Sequence, residues 1–393
     1  MLTQRQLSLQ YLAQTSNSPI ALEIVKAEGV YLYDLLGKEY IDLISGISVS
    51  NVGHRHPKVV KAIKEQLDKY MHLMVYGEYI QSPQVLLAQK LVENLPSSLN
   101  NVYLVNSGSE AIEGALKLAK RFTRRTEIIA FKNAYHGSTQ GALSIMGNEE
   151  MKNPFRPLLS DITFLEYNNI SQLNHISNKT ACVIAETVQG EAGVIVPNKE
   201  FFVALRKKCN ENGAILILDE IQTGFGRTGS LFCFQQFGIV PDIITIAKGM
   251  GGGMPIGAFI ASKEMMNSLA DNPALAHITT FGGNPVCCAA ALATLNVILE
   301  ENLSNEALNK EKIFRTLLKH PKIKSIYGRG LLLAIEWNEN INNIELINRC
   351  INKGVIVDWF LFCANRMRIA PPLTITPAEI EKSCHIIIDC IEN

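Results

Sequence analysis

An aspartate and a lysine about thirty positions apart give the first chemical signal. Asp219 closes the apolar run 215–218, and Lys248 closes the apolar run 243–246. A lysine at the carboxyl end of a buried strand loses hydration, which lowers its pKa and frees a nucleophilic amine. Gly249, Gly251, Gly252 and Gly253 follow it and clear the space around it. The same stretch also reads as a lysine at an exposed strand end before a flexible turn, and taken alone it does not choose between the two. Upstream, Ser107, Gly108 and Ser109 open a helical stretch with Ala111, Ala115, Leu118 and Phe122 on one face. Free backbone N–H groups, hydroxyls and the positive end of a helix dipole make such a turn an anion site. The plainer reading is an N-cap by Ser107 or Ser109.

The elements that must position these residues are short and apolar. Runs at 102–105, 128–131, 162–165, 182–185, 215–218, 243–246 and 258–261 alternate with helical stretches. They are near-continuous in apolar character, which predicts strands covered on both faces and a mostly parallel seven-stranded sheet of an α/β fold. Ligands of such sheets bind beyond the carboxyl ends of the strands. The residues just after each run are therefore the candidates: the loop Asn133-Ala-Tyr-His-Gly137, then Glu186 with Gln189 to Glu191, Asp219 with Glu220, Ile221 and Gln222, and Lys248. Thr279 and Thr280 begin a later glycine-rich turn. Glu220 points away from Asp219 on strand geometry and reads as structural. His54 and His56, in the loop before Pro57, read as packing residues rather than metal ligands.

The expected organisation is a large domain over residues 46–285, with residues 1–45 and 286–393 forming a smaller α+β domain from both termini. Thirty-seven basic and thirty-seven acidic residues cancel, so charge points to neither nucleic acid nor an acidic membrane as partner. Nine cysteines without paired C-x-x-C spacing favour reduced, buried thiols in a cytoplasmic protein over a disulfide or zinc scaffold. No secretory signal and no apolar run of membrane-spanning length is expected.

A strand-end aspartate, a strand-end lysine, an anion-binding helix start and a loop aromatic together suit pyridoxal 5′-phosphate. The lysine amine bonds the cofactor aldehyde, and the aspartate keeps the pyridine nitrogen protonated so that the ring accepts electrons. The helix start holds the phosphate, and the aromatic ring stacks on the pyridine.

At this point the sequence resembles the class III, ornithine-type, aminotransferases of fold type I. The matching stretches are Asn106 to Ala111, Tyr135-His-Gly137, Glu186 to Gly193, Ile217 to Gly229, Asp242 to Gly257, Thr280 to Pro285 and Met367 to Pro371. They fall in family order across most of the chain. The resemblance implies that Lys248 carries the cofactor and shuttles the proton, that Asp219 pairs with the ring nitrogen, and that Gln222 bonds the ring hydroxyl. It further implies that Gly108 and Ser109 cradle the phosphate, with Thr280 reaching in from the partner subunit of a homodimer whose active sites lie at the interface. Tyr135 and Ile221 take the two ring faces. Arg368 receives a carboxylate of glutamate or 2-oxoglutarate, and Glu191 pairs with it when the other substrate is bound. The implied reaction is ping-pong transfer from an acylated-ornithine-like or other ω-amino donor to 2-oxoglutarate. An aminomutase or amine-phosphate lyase is the alternative on the same fold, and a non-catalytic binding protein a third.

The chain departs from the pattern at two places. Ser138 stands where the ornithine and acetylornithine branch usually carries a substrate-gripping arginine. A hydroxyl cannot replace a bidentate charged fork, and the loss costs roughly 2–5 kcal/mol of binding for a charged substrate. Thr187 replaces a common proline. Ile47, where ornithine enzymes often show tyrosine, resembles the acetylornithine branch.

Overall fold

The computed structural model describes residues 3–338 and 341–392. All seven expected strands form one sheet. We label them β1 (Asn101–Val105), β2 (Glu127–Phe131), β3 (Ile162–Leu165), β4 (Thr180–Glu186), β5 (Ile215–Asp219), β6 (Ile243–Ile246) and β7 (Gly257–Ala261). The spatial order is β1-β7-β6-β5-β4-β2-β3. Neighbours from β6 to β3 pair parallel, whereas β7 runs antiparallel to both β1 and β6. An apolar run reads the same in either direction, so periodicity alone carries no sign of that reversal.

Alternate residues of each strand enter opposite faces, as a pleat requires. Ile128, Ile184, Ile217 and Phe259 pack on one face with the helix Gly108–Thr123. Ile129, Ala185, Leu218 and Ile260 enter the larger core on the other. Strands β4 to β7 are buried along their whole length, which accounts for their continuous apolar character. The helix lies close because Gly114 offers no side chain; a Cβ there would stand 2.3 Å from the Phe259 ring.

The chain ends build two four-stranded sheets. Ile24–Glu28, Tyr31–Asp34 and Glu39–Asp42 are joined by Val355–Ile356, which pairs parallel to Glu39–Asp42. Ile323–Arg329, Leu332–Trp337, Cys363–Ile369 and Asp358–Phe360 form the other. Residues more than three hundred positions apart thus share one sheet. The helices Gln4–Tyr11, with no buried residue, and Ser82–Val92 have no counterpart in the sequence reading. No single described helix is long and apolar enough to cross a membrane. Pro285–Glu300 and Leu303–Leu317 pass by length and composition only as a pair bent by 64°.

Candidate active site

Parallel register brings the strand ends together. Glu186 of β4 pairs with Asp219 of β5, and Asp219 with Thr245 of β6, three residues before Lys248. Because β7 is antiparallel, β1 again points the same way as β6 and delivers Asn106 to Ser109 to the same edge. There a cavity of about 410 Å³ opens, lined among others by Gly108, Ser109, Tyr135, Asp219, Gln222 and Lys248. Ile221 lines it as well.

Lys248 opens a short 3-10 turn with φ of +46°. A non-glycine residue in the left-handed region costs about 1–2 kcal/mol, and such strain persists where the surroundings fix it. The following glycine is required by close approach, since a Cβ on Gly249 would stand 2.4 Å from Asn51 Nδ2. Lys248 keeps some accessible surface because it faces the cavity, but its amine is deep in the protein. Burial lowers its pKa below the ordinary lysine value; Glu191 opposes that shift and Arg368 adds to it. The amine therefore favours the neutral, nucleophilic form more than a surface lysine does.

Asp219 is buried, and both its oxygens are held. Oδ1 accepts the Ile221 N–H at 2.9 Å, and Oδ2 lies 2.7 Å from His136 Nδ1. Glu186 accepts the N–H groups of Tyr135 and Gly190, both at 2.9 Å, and so ties the loop after β2 to the loop after β4. Burial pushes the Glu186 carboxyl up to about 7, against the opposing charge of His136.

Ser107 caps the helix by accepting the Glu110 N–H at 3.2 Å. The first amides, of Gly108 and Ser109, consequently lack intrahelical acceptors and stand at the cavity wall. The cap is thus present, and free amides stand beside it at the cavity wall. Gly137 has φ of +128°, and a Cβ there would come 2.2 Å from Ser109 Oγ. That close approach brings the aromatic loop against the helix start.

Glu191 and Arg368 form a buried ion pair, Arg368 Nη2 lying 2.8 and 2.7 Å from the two Glu191 oxygens. Leu361 N–H donates to Glu191 Oε2 at 3.0 Å. Ser138 is exposed, with Oγ 3.4 Å from the Tyr135 hydroxyl. Thr280 is exposed and does not line the cavity of its own chain; its neighbour Thr279 accepts a bond from Asn106 Nδ2 at 3.0 Å. Ile47 has φ of +63° and precedes the cavity-lining Val49 by two residues.

Glu220 faces away from the cavity, as strand geometry requires, and is fully buried. It accepts four hydrogen bonds, from Thr187 Oγ1, Thr223 Oγ1, Cys233 N–H and Phe234 N–H. Thr187 thereby has a definite task. His54 bonds Asp42 at 2.8 Å and His56 lies 3.7 Å from Glu301. Among the described residues no group of three His, Cys, Asp or Glu is placed to hold a metal.

His136 lies in the candidate loop after β2, but sequence reasoning gave it no role of its own. Its only signal was adjacency to Tyr135 in a strand-end loop. Asp358 was missed too; its signal lies in sheet register, which pairs it with Arg368.

The residues fit pyridoxal phosphate on the structure's own terms. A concave wall offers unpaired helix amides for a phosphate, a buried carboxylate and a lysine amine. Buried polar nitrogens left without partners, His136 Nε2 and Gln222 Nε2, line or adjoin the same space. Fold and cavity together define a fold type I pyridoxal-phosphate enzyme. The comparisons with known proteins narrow that class. The aminotransferase class-III family pattern matches residues 12–391. An acetylornithine aminotransferase of Methanopyrus kandleri is 39% identical over 379 residues, 96% of this chain and 95% of the relative. A [LysW]-aminoadipate semialdehyde/glutamate semialdehyde transaminase of Sulfurisphaera tokodaii is 41% identical over 320 residues, 80% and 81% of the two chains. The crystal structure of an ornithine aminotransferase from Toxoplasma gondii superposes with a TM-score of 0.92 at 29% identity, covering 100% and 96%. The chain belongs to the class III aminotransferase family, and it is a pyridoxal-phosphate-dependent transaminase.

Proposed function

We propose that the enzyme moves an amino group from an acylated-ornithine-like or other ω-amino donor to 2-oxoglutarate by a ping-pong mechanism. The observation that carries this reading is the buried Glu191–Arg368 pair beside Lys248. A guanidinium closed by its own carboxylate leaves an uncharged corner for a donor without a carboxylate there. Opened, it offers a bidentate site to an acid.

When bound, pyridoxal phosphate supplies the electron sink that stabilises a carbanion. The chain's residues do the rest. Lys248 would hold the cofactor covalently and, once released, would carry the proton between the substrate carbon and the cofactor. Asp219, oriented by His136 and the Ile221 N–H, would hold the proton on the ring nitrogen, and Gln222 would bond the ring hydroxyl. Gly108 and Ser109 bind the phosphate, and Tyr135 and Ile221 confine the ring. Ser138 borders the donor corner. Thr280, exposed on a face that also carries Phe281 and Met71, completes the phosphate site of a second copy in a homodimer. Residues 46–285 act as the cofactor domain, and residues 1–45 with 286–393 as the smaller one. The free cysteines, all buried except half-buried Cys363, suit a reducing cytoplasm.

The test is a half-reaction. Glutamate alone should bleach the visible band of the Lys248-linked cofactor in a single turnover. A panel of amines scored the same way identifies the donor. A band that glutamate leaves untouched sinks the assignment of Arg368 to a carboxylate of glutamate or 2-oxoglutarate.

A further inference from the structure

Arg368 is enclosed by two carboxylates, not one. Glu191 takes Nη2. On the other side Asp358 Oδ1 lies 3.3 Å from Nε. The two residues are register partners on adjacent antiparallel strands, Asp358–Phe360 and Cys363–Ile369, so the backbone fixes their separation. The contact is within ion-pair range, although neither Nε nor Oδ1 makes a hydrogen bond in this closed arrangement. Nη2 also donates to Trp359 O at 3.3 Å, and the guanidinium lies over the Phe360 ring, 4.5 Å from its centroid. Nη1 is left with no partner although Arg368 is only 2% exposed.

The planar fork therefore has its edges assigned. Nε faces Asp358, Nη2 is shared with Glu191, and Nη1 is open. An acid that displaces Glu191 meets the Nη1–Nη2 edge, which is the geometry of an end-on bidentate pair. Once Glu191 has left, the Phe360 ring and Trp359 carbonyl allow the plane to slide, and Asp358 is the remaining charged group that fixes its rotation about the side-chain axis.

We infer that Asp358 is a positioning residue for the acidic substrate, holding Arg368 by Nε so that its Nη1–Nη2 edge faces the incoming carboxylate. This rests on the proposal that Arg368 receives that carboxylate. Burial raises the Asp358 carboxyl to about 7, against the opposing charge of Arg368. Strand register holds Oδ1 3.3 Å from Nε whichever protonation state the carboxyl takes.

The experiment compares half-reactions of the holoenzyme with glutamate and with the best amine of the panel. Asp358→Ala should lower the glutamate-to-amine efficiency ratio roughly tenfold, through the KM for glutamate rather than the saturating rate, since one interaction with a charged group is lost. Asp358→Asn, whose amide oxygen can accept from Nε once Glu191 has left, should restore the ratio to within about threefold. If Asp358→Ala yields no soluble holoenzyme, Asp358→Ser, too short to reach Nε, takes its place. An unchanged ratio in Asp358→Ala overturns the inference, as does an Asp358→Asn variant no better than the alanine. Arg368→Ala separates the two levels. If it abolishes glutamate turnover while Asp358→Ala does not change it, only the Asp358 role falls. If neither variant affects glutamate, the Arg368 role falls, and the Asp358 role with it.

Discussion

Nδ1 of His136 lies 2.7 Å from Oδ2 of Asp219 in the wall of the cavity. An ionised aspartate only accepts, so Nδ1 carries the proton and the imidazole holds the carboxylate in place. A hydrogen bond to a charged group contributes about 1.5–3 kcal/mol. His136→Ala should therefore lower half-reaction efficiency roughly tenfold to a hundredfold. His136→Asn, with an amide donor near the Nδ1 position, should recover part of it. Stopped-flow loss of the visible band measures both.

Lys248 is the residue that no neighbour replaces. Lys248→Ala should lose the covalent link, with its visible band, and essentially all turnover. Full activity in that variant would refute the central assignment. Free pyridoxal phosphate should still bind through the helix start and Asp219, and dialysis should then remove it faster than from the parent enzyme.

Glu191→Ala opens the fork. Removing one partner of a buried ion pair costs about 3–5 kcal/mol, and Asp358 alone is then left facing the Arg368 charge. An acidic ligand supplies the missing charge and should bind more tightly than to the parent, while amines without a carboxylate at that corner should react more weakly. Glutamate and amine KM values should consequently move in opposite directions. Parallel movement of the two would show that the pair does not act as a switch.

Glu186 gives the pH prediction. Its carboxyl ionises near 4.5 when unfolded and at about 7 when folded, because burial disfavours the charge. The folded state thus binds the extra proton between those values. The stability it contributes is full below about pH 4.5 and is lost as pH rises through about 7. Glu186→Gln cannot titrate. Between pH 5 and pH 8 the parent should lose about 2–3 kcal/mol relative to that variant. Urea midpoints at the two pH values test this, and a constant difference rules it out.

What could be read from the sequence follows a physical line. Lys248 and Asp219 were legible because fully buried strands are continuous in apolar residues, and a charge at the end of such a run stands out. The helix start at Gly108 was legible because its capping residues are local. The direction of β7 was not, because an apolar run has no sign. His136 and Asp219 are 83 positions apart, and their contact exists only once β2 and β5 are placed near one another. Asp358 becomes visible only through strand register, since a carboxylate in a short polar-apolar segment reads as an exposed strand end. Ser138 stands out in sequence, but its contact with Tyr135 is a matter of loop geometry.

The Thr187 hydroxyl donates to Glu220 at 2.8 Å, away from the cavity. Glu220 shares its backbone with Asp219, so the four donors that hold it also fix the strand end that carries the cavity carboxylate. Burial pushes the Glu220 carboxyl up to about 7, yet four donors converge on two oxygens, which is the arrangement an ionised carboxylate needs. A protonated carboxyl would set its own O–H against one of these four donors. Thr187→Val keeps the shape and removes one donor, and a buried acceptor left short costs about 1–3 kcal/mol. Thr187→Pro removes the hydroxyl and also the N–H that donates to Asp219 O at 3.2 Å. It should destabilise the protein more than the valine and weaken cofactor retention as well. Thermal melts and the visible band of each variant, read together, check both steps; equal melting temperatures for parent and Thr187→Val would remove Thr187 from the network.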